Sequence, residues 1–173
     1  MQFNTNKAIE ILEKTPLALE QLLSGLSQEW IYSNEGAQTW SPFDVMGHLV
    51  HGEKTDWIPR LEVILAENGT KTFTPFDRFA MLEESKGKDM DQLINEFKTL
   101  REKNLEILKS KQLTTEDHAK TAAHPVLGEV TLSQLLSCWV AHDLGHLAQI
   151  SRVMAKQYKE EVGPWIEFLG ILK

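Results

Sequence analysis

His142 and His146 stand one helical turn apart in the run Trp139-Val-Ala-His142-Asp143-Leu-Gly-His146-Leu147. Positions i and i+4 of a helix share one face, with Cβ atoms about 6 Å apart, so two imidazoles can bind one divalent ion. Leu135, Trp139, Ile150 and Val153 wind onto the same stripe, which turns both rings toward the interior. An inward polar group without a partner is expensive, and a metal ion satisfies both rings at once. The pattern excludes two metal chemistries. Position 143 is Asp, and His-Glu-x-x-His occurs nowhere, so this is not a zinc-protease helix. No Glu-x-x-His pair exists either, which removes a ferritin-like di-iron site.

A catalytic site of this type takes three protein ligands and keeps one position open. The chain has six histidines. His118 and His124 fall in a polar connection and are expected at the surface. His48 and His51 remain, three residues apart on one predicted helix, and spacing alone does not separate them. Asp44 and Glu53 are placed to orient an imidazole, although a helix cap explains Asp44 and a solvated face explains Glu53. Asp143 points about 100° away from its neighbour His142, which favours an interhelical bond over coordination. Coordination by Asp143 would instead make a phosphohydrolase of the His-Asp class. Gln149 follows His146 by nearly one turn and either lines the site or bridges to another helix. Trp40, Trp57 and Trp139 are core aromatics that could also wall it. Cys138, the single cysteine, reads as a small buried hydrophobe.

Four long helices must position these groups. The first spans about Asn6 to Leu26, with Ile9, Leu12, Pro16, Leu19 and Leu23 on one face, and Pro16 should bend it or break its ladder. The second opens on Ser41-Pro42-Phe43-Asp44, a cap, a first-turn proline and a capping-box acid. It carries Phe43, Met46, Val50, Trp57 and Leu61 on one stripe and His48, Gly52 and Thr55 on another side, with a kink expected at Pro59. Residues 70 to 87 form an aromatic crossover that should pack across the bundle. The third helix spans about Asp89 to Lys111, with Leu93, Phe97, Leu100, Asn104 and Leu108 at helical spacing and Lys, Glu and Arg facing solvent. A second connection fills 112 to 130. The fourth helix runs from Thr131 to Tyr158, and its opposite side carries Ser137, Ala141, Gly145, Ala148 and Ala155, small enough for a close helix–helix approach, within the chain or across a dimer. No alternating strand and no internal repeat is evident. The result is an all-α four-helix bundle with long crossover connections, one domain over 1–173.

The bulk numbers narrow the function. With 18 Lys and Arg against 25 Asp and Glu, the net charge is −7, which argues against nucleic acid, since such binding needs a basic face. Mean hydropathy is −0.29, and no apolar run reaches membrane-spanning length. The lone cysteine and the polar opening residues set the expectation of a cytoplasmic protein.

The segment Trp40-Ser-Pro-Phe-Asp-Val-Met-Gly-His48-Leu49, followed far downstream by His142-x-x-x-His146-x-x-Gln149-Ile150, resembles the DinB-like family. Phe76-Asp77-Arg78 and His124-Pro125-x-Leu127-Gly128 extend the resemblance over most of the chain. It implies a four-helix bundle in which one His of the second helix and two of the last hold a divalent metal, which selects His48 over His51 alongside His142 and His146. Three imidazoles suit zinc and nickel alike, so the expectation is one zinc or nickel ion per chain, in a homodimer that acts on a small-molecule substrate. The family's known activities are transfers of low-molecular-weight thiols such as bacillithiol and mycothiol, so a metal-dependent thiol S-transferase is the expected activity. A hydrolase using water activated by the metal, or a non-enzymatic metal-binding protein of a stress response, are the alternatives.

Overall fold

Each long helix begins where a side chain takes up the free N–H groups of its first turn. In the computed structural model, which describes residues 1–173, Asn4 caps α1 (Thr5–Leu23) by accepting from the Lys7 amide. A short α2 (Gln28–Tyr32) follows. Ser41 and Asp44 form a reciprocal capping box on α3 (Pro42–Thr55), with Pro42 in the first turn. The expected kink in the second helix is a break. α3 stops at Thr55, and α4 (Trp57–Leu65) starts after a single intervening residue, Asp56. Pro59 lies in the first turn of α4, where its missing N–H needs no partner.

The crossover contains α5 (Ala80–Glu84) and leads to α6 (Met90–Ser110), opened by an Asp89–Gln92 capping box. After α7 (Thr115–Ala119) comes a hairpin that the sequence reading did not anticipate. β1 (Thr121–His124) pairs antiparallel with β2 (Gly128–Thr131), Ala122 opposite Val130. Four-residue strands with two alanines carry too little alternation to be read. The crossover adds to the edge of β1 through the Phe73 amide, which donates to the Ala123 carbonyl at 2.9 Å. α8 (Leu132–Lys156) completes the bundle, and two 3₁₀ turns, Gly163–Phe168 and Gly170–Leu172, end the chain. No helix is long and apolar enough to cross a membrane.

The bundle of α1, α3–α4, α6 and α8 buries two separate apolar clusters. One gathers Leu12, Trp57, Leu61, Leu105, Leu136 and Trp139; the other gathers Leu19, Met46, Val50, Phe97 and Ile150. Between them, on every one of the four helices, lies a buried polar group. α6 contributes Arg101 and Asn104, α3 contributes Glu53, α8 contributes Asp143, and α1 contributes the Leu12 carbonyl.

Arg101, 1% exposed, holds this layer together. Its Nη1 donates to Asp143 Oδ2 at 2.6 Å and to the Leu12 carbonyl at 2.9 Å. Its Nη2 donates to Asp143 Oδ1 at 3.0 Å and Glu53 Oε1 at 2.8 Å. Asn104 donates to Glu53 Oε2 at 2.9 Å, and the Trp139 indole to Glu53 Oε1 at 3.1 Å. The Leu12 carbonyl is free for Arg101 because Pro16, four residues on, has no N–H to offer it. Pro16 therefore breaks one rung of α1 without ending the helix, and the guanidinium replaces that rung. Burial pulls the Arg101 pKa down, but the Glu53 and Asp143 carboxylates outweigh it and raise the value, so the cation is secured.

Removing one partner of such a cluster leaves buried charge without compensation, at about 3–5 kcal/mol. Arg101→Met should lower the unfolding free energy by that amount in urea denaturation. Arg101→Lys should recover little of it, because one ammonium cannot reproduce the two-pronged bond to Asp143. A loss under about 1 kcal/mol in Arg101→Met would contradict this role for the cluster.

Candidate metal centre

α3 and α8 bring three ring nitrogens to one point. His48 Nε2 lies 3.0 Å from His142 Nε2, and His146 Nε2 lies 3.1 Å from the same atom. The candidate ligand atoms of the three residues all fall within 4.8 Å of one another. Nitrogens bound to one tetrahedral ion at about 2.0–2.1 Å would sit about 3.3 Å apart, close to the spacing found here. His142 Nε2 faces both of the others, and a single proton cannot bridge both contacts. A cation at the centre satisfies all three lone pairs.

The electrostatics supply those lone pairs. Burial, then the charges of His146, His51 and Arg78, lower the His48 pKa to about 4. Burial, then His146, His48 and Arg101, lower His142 to about 3. Burial also lowers His146, against the pull of its Gln149 bond and the Asp143 charge. At neutral pH all three rings are uncharged, the form that binds metal.

Orientation comes from one hydrogen bond and an aromatic box. His146 Nδ1 pairs with Gln149 Oε1 at 2.8 Å; with the proton assigned to Nδ1, Nε2 is left as an acceptor aimed at the centre. His48 Nδ1 and His142 Nδ1 are buried without a protein partner, so packing holds those rings. Trp40 lies 4.9 Å from the His48 ring and 6.4 Å from that of His146. Phe76 meets His48 edge-on at 5.5 Å, and Trp57 meets His142 edge-on at 5.1 Å. Trp57 is itself stacked on Trp139 at 5.5 Å. His142 and His146 keep partial exposure, so the centre is not sealed from solvent.

The other histidines have separate partners. His51 is buried, and its Nδ1 pairs with Glu84 Oε1 at 2.9 Å, away from the trio. His118 and His124 are half-buried, not the surface residues expected. His118 pairs with Thr5 Oγ1 at 2.8 Å, and His124 Nδ1 accepts from the Val126 and Leu127 amides at the hairpin turn.

Asp44 caps α3, as its position implied. Both oxygens of Asp143 are bonded to Arg101, the interhelical bond anticipated, which removes the His-Asp phosphohydrolase reading. Three further expectations fail. Glu53, read as a solvated carboxylate, is 2% exposed, because α3 is enclosed on nearly every side and Arg101 compensates the buried charge. Arg101 was grouped with solvent-facing residues, although it lies one turn from both Phe97 and Leu105, and that flanking was the available signal. Cys138 is exposed, because its side of α8 is not covered within the chain. Phe76 and Arg78 were not singled out as site residues; their crossover position gave no helical phase to read.

The DinB superfamily matches residues 11–150, most of the chain. The chain belongs to the DinB superfamily. Among solved structures, the DinB-like bundle is similar to YfiT from Bacillus subtilis, described as a probable metal-dependent hydrolase with an unusual four-helix bundle topology. That match has a TM-score of 0.74 and 22% identity, and covers 88% of this chain and 86% of the other. It is also similar to TT2238, a four-helix bundle protein, with a TM-score of 0.57 and 18% identity over 86% of this chain and 98% of that one. These likenesses show the shared fold. No curated protein matches the sequence.

Elemental mass spectrometry of the purified chain should find about one divalent ion per chain, as a three-ligand site implies. His48→Ala, His142→Ala and His146→Ala should each cut metal retention after dialysis at least tenfold, on the order expected for a lost ligand. His51→Ala, His118→Ala and His124→Ala should leave it unchanged. Full retention in His48→Ala would remove that residue from the site.

Proposed function

We propose that this DinB-superfamily protein is a metal-dependent enzyme that joins a low-molecular-weight thiol to an electrophilic small molecule. His48, His142 and His146 would hold one zinc or nickel ion per chain, a choice three imidazoles leave to availability. Bound by three neutral ligands, such an ion keeps its full charge and supplies acidification of a coordinated thiol or water.

The observation that carries the thiol reading is the fate of the nearby carboxylates. The ligand cluster contains none. Glu53 and Asp143 are committed to Arg101, Asp44 to the α3 cap and Glu84 to His51. Water attack gains from a positioned carboxylate base, whereas a thiol, far more acidic than water to begin with, is ionised by the ion alone. Trp40, Phe76 and Trp57 wall the histidines with apolar surface, which suits a soft sulfur nucleophile. In the transfer, sulfur forms a bond to the electrophilic carbon as the leaving group departs with its electron pair. The thiol proton passes to solvent through the open side of the centre.

A second reading, hydrolysis, has one point in favour: the structurally similar YfiT is described as a probable metal-dependent hydrolase. The two separate in one assay. Metal-loaded protein should accelerate thioether formation between cysteine and 1-chloro-2,4-dinitrobenzene, and His142→Ala should abolish the effect. Metal-dependent cleavage of 4-nitrophenyl acetate without thioether formation would favour the hydrolase. Inactivity of a fully metal-loaded protein in both assays would favour a metal-binding role in a stress response.

A homodimer in the cytoplasm completes the proposal. Ser137, Ala141, Gly145 and Ala148 are exposed along α8 beside Leu144, a surface a second helix can approach closely. Light scattering should give twice the 19.7 kDa mass of the chain. A single-chain mass at micromolar concentration would contradict it.

A further inference from the structure

The chain has four arginines, and three of them lie on carboxylates. Arg60 pairs with Asp56, Arg101 with Glu53 and Asp143, and Arg152 with Glu35. Arg78 is the fourth, and it is held by rings. Its guanidinium sits 5.1 Å from the centre of the Trp40 ring and 5.3 Å from that of Phe79. The acid beside it in sequence, Asp77, instead accepts the Phe79 amide at 3.0 Å. Arg78 is exposed, so its N–H donors are available to a ligand.

Its location gives that availability a purpose. Trp40, on which Arg78 rests, is the same ring that packs against His48 and His146. The cation therefore stands at the rim of the histidine cluster, one aromatic ring from its ligands. Three neutral imidazoles leave the charge of a bound ion uncancelled, and Arg78 adds a further positive charge on the same side. Two positive centres facing one opening repel until an anion lies between them. A planar fork of donors is matched to a carboxylate, and stacking on two rings limits the freedom lost when it binds one.

We infer that Arg78 is a specificity-determining residue that receives a carboxylate of the small molecule whose reacting atom lies at the three-histidine centre. This rests on the metal reading above and adds the chemical class of the ligand: an acid with its carboxylate a few bonds from the reacting atom.

Protein substituted with cobalt(II) reports thiolate binding through its visible spectrum, so two thiols of one length isolate the contribution of the tail. Wild type should bind 3-mercaptopropionate about five- to tenfold more tightly than 3-mercapto-1-propanol, the size of a partly exposed charge-assisted bond. In Arg78→Gln the preference should vanish while the alcohol binds as before, and Arg78→Lys should keep part of it. Cobalt content is measured alongside. Wild type lacking preference, or Arg78→Gln retaining it with cobalt bound, would overturn the inference and leave the metal reading standing. Equal weakening of both thiols in Arg78→Gln would overturn it too, making Arg78 a support for Trp40. Failure of wild type to take up cobalt would overturn the metal reading and the inference with it.

Discussion

The buried guanidinium of Arg101 is the constraint on which the rest of this bundle depends. Four helices can pack apolar stripes in several rotations and slides, and dispersion distinguishes poorly among them. A charged fork enclosed between two apolar clusters tolerates one arrangement. It requires Asp143 on α8, Glu53 on α3 and a free carbonyl on α1 at the same place. Such clusters do not reliably add net stability over an apolar core, and their clearest use is to fix register. Here the register has a beneficiary. Asp143 adjoins His142, so the bond that fixes the rotation of α8 turns His142 and His146 toward α3. Glu53 lies five residues from His48 and fixes α3 in the same way.

The two polar assemblies are opposites in charge. Around Arg101, one guanidinium is buried between two carboxylates, Trp139 and Asn104 donate to Glu53, and burial still holds the Glu53 pKa above its ordinary value. At the histidine centre, burial strips the rings of protons and leaves three lone pairs facing one another. The first arrangement is closed within the protein, every prong but the buried Arg101 Nε finding a partner. The second would be completed by a cation, as proposed above, and two of its rings are partly exposed. Carboxylates that could have neutralised a bound ion are held instead by Arg101, His51 and a helix cap. On the proposed metal reading, the charge of such an ion would be left for a ligand.

Much of this was legible in the sequence, and the reasons differ by residue. Helix starts were readable at Ser41, Asp89 and Thr131 because a cap is a local device, written within four residues. The facing of His142 and His146 was readable because their apolar neighbours share the helical period. The choice between His48 and His51 was not available from spacing; the partner that separates them, Glu84, lies 33 residues away. The pairing of Arg101 with Glu53 was hidden for the same reason, since nothing near either in sequence announces the other. Pro16 was visible as an irregularity, but its consequence, a carbonyl offered to another helix, exists only in three dimensions. The hairpin at 121–131 escaped because its strands are short and its pairing with the crossover is non-local.

The most direct test of the account is X-ray absorption at the metal edge of the purified protein, backed by a crystal structure with anomalous scattering from the ion. The account predicts one ion bound by Nε2 of His48, His142 and His146 at about 2.0–2.1 Å, with at least one further position taken by solvent or an added thiol. An ion bound elsewhere, or one whose ligands include His51 or Asp143 in place of His48, would contradict it.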